Sequence, residues 1–389
     1  MGCRVALGDV CSFYRGASVP RTRMYDKGAY LYIHYGDLYK GFDLHIDVED
    51  PAKPIPYILN NEKIKDSQRL RDQDIVYVLT SETVDDLGHA YLFNNPKEKP
   101  TISGTETTIV RVNRRDLVVP AYLNYLMSSP RFIRELRQYT RGMKVFRVHP
   151  KDVARIEIDL PQTEVQHQIV SILDAIYAKQ QANSKLNGYL VKACDVLYSN
   201  YTAGEQAAGW PMGTLEDLLE IRYGKDHKKL NDGNIPVYGS GGYMRSVDRF
   251  LYSGESVLIP RKGSLNNVMY VSKKFWTVDT MFYAVPKSPN VAKYAYQFIK
   301  RLDLASMNSG SAVPSMTTKI LNALPVPIPP KESLHAFDDQ LQPYYSAICA
   351  NAIENELLAA LRDALLPKLM SGEIDVSKVD LKQLNSHLA

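Results

Sequence analysis

Within seven positions, 261–267, the chain carries Arg261, Lys262, Ser264, Asn266 and Asn267, bounded by the apolar runs Ser256 to Ile259 and Val268 to Val271. Forked guanidinium donors match guanine edges and amides match adenine, while ammonium, hydroxyl and backbone N–H groups hold phosphates. A loop of this make-up between two strands is a candidate reader of nucleic acid; the plainer reading is a solvated hairpin. Upstream, Tyr238, Ser240 and Tyr243 frame a glycine-rich turn, and downstream Ser311, Thr317 and Lys319 offer groups suited to backbone contact. Earlier in the chain, Arg15, Arg21, Arg23, Tyr32, His34 and Tyr35 lie close in sequence, and Thr80, Ser81 and Glu82 follow the strand-like run Ile75 to Leu79. Arg141, Lys144, Arg147 and Lys151 complete the candidate set, which leaves the catalytic, cofactor-binding and metal-binding classes empty.

Catalytic arrangements are weaker. Asn94-Asn-Pro-Lys97 has neither the second proline nor the aromatic of an adenine-methyltransferase loop, and no glycine-rich cofactor loop precedes it. The turn at Gly239 to Gly242 is not followed by a GxxxxGK[ST] pattern, and no HExxH occurs. His34 and His45 also fit as ordinary strand residues. Glu255, Asp279 and Lys262 do not follow the order of a strand-borne nuclease triad. The four cysteines have no metal-ligand spacing and fit free thiols in a reducing cytoplasm. No run of eighteen apolar residues is present and no signal-type segment follows Met1, so neither a membrane span nor secretion is expected.

The elements that must position these residues come in two copies. Residues 142–205 and 310–373 align without a gap at an offset of 168, matching Gly142 with Gly310, Val145 with Val313, Lys151 with Lys319, Asp195 with Asp363 and Gly204-Glu205 with Gly372-Glu373. Leu7 to Val10 and Gly16 align with Leu215 to Leu218 and Gly224 at an offset of 208, so the first copy carries about forty extra residues between the matched blocks. Strand-like runs fall at Tyr30 to Ile33, Ile75 to Leu79, Thr107 to Val112 and Ile156 to Leu160, and in the second copy at Ile235 to Tyr238, Ser256 to Ile259, Val268 to Val271, Met281 to Val285 and Leu324 to Ile328. Short helices are predicted over Tyr122 to Met127, Pro130 to Tyr139 and Val291 to Leu302.

Each copy ends in a long helical pattern. From Gln162 to Tyr201 there is no proline, and Val165, Ile169, Ile172, Ile176, Leu186, Leu190, Ala193 and Leu197 form one stripe with a polar centre at Lys179 and Asn183. Thr163 with Gln166 suits a capping box, and Gly204 a stop. The second stripe is Phe337, Leu341, Tyr344, Ile348, Leu357, Leu361 and Leu365; Pro343 is predicted to kink or break it, and Pro367 and Gly372 to end it. Neither stripe is apolar enough to stand alone. Packing one against the other as an intramolecular antiparallel coiled coil removes both from water, with two separate dimerisation helices as the alternative.

The expected fold class is therefore α+β: two globular domains in pseudo-two-fold repeat, over 1–160 and 205–330, separated by long helices over 161–204 and 331–372, with a tail over 373–389. Charge follows the same division. Residues 1–150 hold 22 Lys+Arg against 18 Asp+Glu and residues 205–330 hold 15 against 10, while the remaining segments hold 10 against 15. Basic modules joined by acidic helices suit a polyanion held at two places.

Taken in order, these features resemble the specificity subunit of type I restriction-modification systems. The residues that carry the likeness are Leu7-Gly-Asp-Val10, Trp210-Pro-Met-Gly-Thr-Leu215, Ile235-Pro-Val-Tyr-Gly-Ser-Gly-Gly242, Val257-Leu-Ile-Pro-Arg-Lys-Gly263, Phe275-Trp-Thr-Val-Asp279 and Leu361-Arg-Asp-Ala-Leu-Leu-Pro-Lys-Leu-Met-Ser-Gly-Glu-Ile374. The chain departs from the pattern in the missing Trp before Leu7, in Pro343, and in Leu334 where the first helix has Gln166. The resemblance implies a non-catalytic cytoplasmic reader of split double-stranded DNA sites, each domain reading one half, with the helices setting the spacing and docking two methyltransferase subunits. A restriction and translocase subunit would join the assembly, and S-adenosylmethionine, ATP and Mg would belong to those partners. A related restriction system outside type I, a non-catalytic scaffold for protein or carbohydrate, and a single-chain methyltransferase or nuclease are the alternatives.

Overall fold

In the computed structural model, which describes residues 2–39, 42–50, 53–307, 315–380, 383 and 386, the first strand of each repeat pairs with the last. Cys3–Ala6 runs antiparallel to Glu157–Leu160 with Val5 opposite Ile158, and Met212–Thr214 runs antiparallel to Pro325–Pro327 with Gly213 opposite Val326. These two registers are the same register once the offsets of 208 and 168 are applied. The bond after each pair is also shared: Leu7 N–H donates to Ile156 O at 3.0 Å, and Leu215 N–H to Leu324 O at 2.9 Å. A single helical turn follows in both, Leu7–Val10 and Leu215–Leu218, and then a strand, Cys11–Arg15 and Leu219–Tyr223. Gly16 and Gly224 end those strands. A Cβ on Gly16 would collide with the carbonyl oxygen of Gly104, and one on Gly224 with that of Val278, so both positions require glycine for the same reason.

The chain divides into two units, residues 1–181 with 354–389 and residues 182–353. In the first, a five-stranded sheet runs in the order Cys11–Arg15, Thr107–Val112, Ile75–Val78, Ala90–Asn94 and His45–Asp47, antiparallel except for the last pair. All four residues of Ile75–Val78 are buried, which is why that segment reads as an unbroken apolar run instead of an alternating one. A smaller sheet, Tyr57–Ile58, Tyr30–Ile33 and Thr101–Ser103, sits over the cluster of Ala17, Val19, Tyr32, Ile58 and Ile102. The helices Pro120–Met127 and Pro130–Arg137 each start on proline, whose missing N–H costs nothing in the first turn.

The second unit is the shorter edition. Its four-stranded antiparallel sheet has the order Leu219–Tyr223, Met281–Pro286, Ser256–Pro260 and Met269–Val271. A three-stranded sheet of Gly242–Val247, Asp232–Gly239 and Trp276–Thr277 stands beside it, and the helix Ala292–Ile299 packs in the core with Tyr294 and Ala295 buried.

The two long segments are single helices, Thr163–Ala203 and Lys331–Ser371, and each unit takes one half of both. The second helix passes through Pro343 and Pro367 without a break, contrary to expectation. Both prolines face solvent, where the carbonyl each leaves unbonded is open to water, while Leu341 and Tyr345 beside Pro343 are buried. Within each unit the halves run antiparallel. In the first, Gln180 Nε2 donates to Asn355 O at 3.1 Å and Asn355 Nδ2 to Gln180 O at 3.3 Å. In the second, Asn187 Nδ2 donates to Ile348 O at 3.3 Å and Asn351 Nδ2 to Asn187 Oδ1 at 2.7 Å. Polar residues on a helix seam specify register at some expense of stability, so the polar centre at Lys179 and Asn183 extends over several more residues than the sequence suggested. The apolar seam also differs from expectation. Leu186, Leu357 and Leu361 are exposed, and Cys194, Tyr198, Leu358, Leu366 and Leu369 are buried instead. In the second unit Tyr201 also stacks on Phe337 across the pair, with ring centroids 4.2 Å apart.

Buried polar groups tie the long helices to their units. Gln166, fully buried, accepts from Val119 N–H at 2.9 Å and donates to Leu117 O at 2.8 Å and Pro161 O at 2.9 Å. His45 stacks on Tyr177 at 4.1 Å, and burial pushes its pKa down to about 4, which keeps the ring neutral. In the second unit, Lys293 Nζ lies 2.8 Å from both Glu255 Oε1 and Asp338 Oδ1. Replacing Gln166 by the leucine of its counterpart, Gln166→Leu, should cost on the order of 3 kcal/mol, because a donor and two acceptors are left buried without partners. Urea denaturation of the full chain checks it; an unchanged midpoint would show that water replaces the amide.

Candidate nucleic-acid interface

In the second unit four segments meet at one sheet edge. Arg261 N–H donates to Thr280 O at 2.8 Å and its guanidinium to Asp279 O at 3.0 Å, and the guanidinium carbon lies 5.5 Å from the centroid of the Tyr223 ring. Val278 N–H donates to Tyr238 O at 3.1 Å and Asn267 Nδ2 to Ser240 O at 2.8 Å, which seats the glycine-rich turn on the 261–267 loop. Lys262 pairs as an isolated bridge with Ser315, bringing in Thr317 and Lys319. Arg261, Lys262, Asn267, Tyr238, Ser240, Thr317 and Lys319 thus belong to one edge, with Lys262, Ser264, Tyr243, Thr317 and Lys319 exposed.

Some of these groups are already committed. Asn266 Nδ2 donates to Asp303 Oδ1 at 3.0 Å while its Oδ1 accepts from Ala305 N–H at 2.9 Å, so both ends of the amide hold the loop. Thr317 Oγ1 caps the helix Thr318–Asn322 by accepting from Ile320 N–H at 3.2 Å. Tyr243 OH lies 3.1 Å from Ser246 Oγ. Ser311 lies outside the described residues. Glu255 and Asp279 do not assemble with Lys262: Glu255 is bound to the buried Lys293, and Asp279 offers Arg261 its backbone carbonyl.

The first unit presents the same edge. Strand pairing places Thr108 opposite Arg15 and Thr107 opposite Val78, so Arg15 and the Thr80–Ser81 segment end on one side of the sheet. Thr80 pairs with Arg147 and Ser81 with Phe146, just as Lys262 bridges Ser315, which is the repeat partner of Arg147. Val148 N–H donates to Leu79 O at 3.0 Å, and the equivalent bond, Met316 N–H to Arg261 O, measures 2.8 Å. Thr80 therefore stands where Lys262 stands, and the buried Leu79 stands where Arg261 stands. Arg141 is held by the buried Asp152 at 3.0 Å, Arg147 lies 3.7 Å from Glu106, and Lys144 and Lys151 are exposed.

The residues of the inserted segment do not gather there. Tyr32 has no exposed surface; its hydroxyl donates to Ala17 O at 2.7 Å and accepts from Val19 N–H at 3.0 Å, because it fills the core under the small sheet. His34 caps the short helix Tyr35–Leu38, accepting from Gly36 N–H at 3.1 Å, with burial and the Arg21 charge both lowering its pKa. Tyr35 leans on the His34 ring at 4.7 Å. Arg21 is paired with Asp37 at 2.9 Å and Arg23 with Glu62 at 3.2 Å, both on the surface.

Reasoning from sequence passed over Tyr223, Lys225, Lys228 and Lys229, all exposed. Lys225 N–H donates to Thr277 O at 2.9 Å, which puts this basic stretch beside Arg261. The offset of 208 points to the first of them, since it carries Arg15 onto Tyr223.

Two copies of one frame, each ending in a sheet edge that carries cations and hydroxyls, define a DNA-recognition protein with two reading edges. The chain belongs to the family described as the type I restriction modification DNA specificity domain, which it matches over residues 4–188 and 208–360. It is 23% identical over 308 residues to the type I restriction enzyme MjaIX specificity subunit of Methanocaldococcus jannaschii, covering 68% of this chain and 71% of that protein. To the type I restriction enzyme HindI specificity subunit of Haemophilus influenzae it is 24% identical over 194 residues, 43% of this chain and 42% of that one. Among solved structures, the S subunit of a type I restriction-modification system from M. genitalium shares the fold with a TM-score of 0.55 at 15% identity, covering 95% of this chain and 96% of that chain.

Arg261→Ala should relax preference at one half of a split site and leave the other half unchanged, a loss of roughly 1–3 kcal/mol. Asn266→Ala should instead lower loop stability with little change in base preference. Selection from randomised duplexes with both variants tests the pair; an unaltered preference with Arg261→Ala refutes its assignment.

Proposed function

We propose that the chain is the DNA-specificity subunit of a type I restriction-modification complex, reading a split double-stranded site with one edge per unit. The observation that carries this reading is the doubled edge: Thr80 against Arg147 and Lys262 against Ser315 hold equivalent positions in equivalent registers. On this reading the domains over 1–160 and 205–330 are the two target-recognition domains, and the segments 161–204 and 331–372 are the spacers.

The chain itself supplies recognition and no bond-making chemistry; S-adenosylmethionine, ATP and Mg belong to its partners. Its place of work is the cytoplasm, where the DNA to be read lies. Among the described residues no helix is long and apolar enough to cross a membrane. Methyltransferase subunits dock on the long helices, and a restriction and translocase subunit joins them. Support for docking comes from Tyr189 and Leu357, related by the offset of 168, which are 56% and 66% exposed. Leu186 and Val196 flank the first, and Leu361 the second, all exposed. Exposed apolar residues at equivalent positions of repeated helices suit two copies of one partner.

Binding to a duplex should weaken steeply with salt, the logarithm of the constant falling by ~0.9 per phosphate neutralised for each decade of salt. Fluorescence anisotropy titrations at several salt concentrations measure it, and a flat slope would favour a protein-binding scaffold. Tyr189→Glu and Leu357→Glu should each remove one copy of the methyltransferase subunit while DNA binding by the chain persists. Mass measurement of the reconstituted complex tests this, and full occupancy with both substitutions present would place the docking surface elsewhere.

A further inference from the structure

A hairpin in the first unit carries an apolar tip that no packing within the unit explains. Arg141 and Arg147 exchange both backbone bonds, Arg141 N–H to Arg147 O at 2.9 Å and Arg147 N–H to Arg141 O at 2.8 Å, closing the hairpin over residues 142–146. Gly142 has φ of +113°, and a Cβ there would run into the carbonyl oxygen of Val145, so the turn needs glycine. The base of the hairpin is fixed three ways: Phe146 pairs with Ser81 and packs on the core, Arg141 is held by the buried Asp152, and Val148 is bonded to Leu79. At the tip stands Met143, 93% exposed, followed by Lys144 and then Val145, also exposed. Among the described residues no carboxylate pairs with Lys144.

We propose that Met143 is a wedge that enters the base stack of the half-site read by the first unit, with Lys144 on the adjoining phosphate. The inference rests on the DNA reading given above. An unbranched apolar side chain on a stiff hairpin, ringed by cations and projecting from the reading edge, has the make-up of side chains that part base steps from the minor groove and bend the duplex. Pyrimidine–purine steps part most easily, so the wedge selects sequence at a step where no hydrogen bond is made. The device belongs to one unit only: the offset of 168 places Ser311 opposite Met143 and Ala312 opposite Lys144.

The test uses the full chain. Duplexes are selected from a randomised pool, and 2-aminopurine is then placed in turn along the selected site. Wild type should raise 2-aminopurine fluorescence at one step within the half whose preference does not change with Arg261→Ala. Met143→Ser, which copies the other repeat, should abolish that signal and weaken binding to the selected site about tenfold, with preference at that step relaxed. Met143→Leu should keep both signal and affinity. Because the side chain is almost wholly exposed, each variant should melt like wild type, and that measurement separates loss of the wedge from loss of fold. A selected site with no fluorescence change at any step, or a Met143→Ser variant that binds and selects like wild type, overturns the wedge while the DNA reading stands. The wedge is likewise overturned if Met143→Ser leaves DNA binding intact and impairs capture of the methyltransferase subunit. A pool that yields no consensus sinks the DNA reading, and the wedge falls with it.

Discussion

The antiparallel pair that joins the first strand of each repeat to the last is the constraint from which the rest follows. Val5 against Ile158, and Gly213 against Val326, bring the chain's entry to each unit beside its exit. The exit strand leads straight into a long helix, so the direction of that helix is set by the sheet. Everything between entry and exit is then a closed excursion whose far edge can vary. The bonds from Leu7 and Leu215 to the residues before the exit strands lock the first helical turn to the same junction.

Polar joints hold the long helices differently in the two units. The first uses a neutral amide, Gln166, with three bonds, and the second uses a buried ammonium between two carboxylates. A buried charge pair is costly to desolvate and costly to break, up to about 3–5 kcal/mol when one partner is lost. Both devices tie the long helix to the rest of its unit, Gln166 through the loop at Leu117 and Val119 and Asp338 through Lys293 of the helix Ala292–Ile299. The asparagines along the helix seam act in the same sense, since each is matched to a carbonyl or amide across from it.

Much of this frame is legible in the order of residues alone. Matching residues at fixed offsets reveal the two copies, and Gly16 with Gly224 prove to be matched because each meets a carbonyl oxygen at the same crossing. Unbroken apolar runs locate the central strands because those strands are buried on both faces. Short strands such as His45–Asp47 and Thr101–Ser103 leave no such mark, being held by parallel neighbours distant in sequence. The reading edge is legible where strand ends carry dense cations, as at Arg261 and Lys262. It is not legible in the insertion, where closeness along the chain groups the buried Tyr32 with Arg15, the residue at the end of the preceding strand. A tyrosine looks the same in sequence whether its hydroxyl faces a ligand or a backbone carbonyl inside the core, and only the fold distinguishes them. The helix seam is misplaced because a stripe traced through aliphatic residues runs along Ala193 and Leu197 and passes over Cys194 and Tyr198, which are buried beside them.

Most of the extra residues of the first copy fall between Gly16 and the strand Thr107–Val112 and the rest between that strand and Gly142, all within the excursion and outside the paired junction. Chain length can therefore change inside either excursion without disturbing the pairing at its mouth, because that pairing fixes the two ends whatever lies between them.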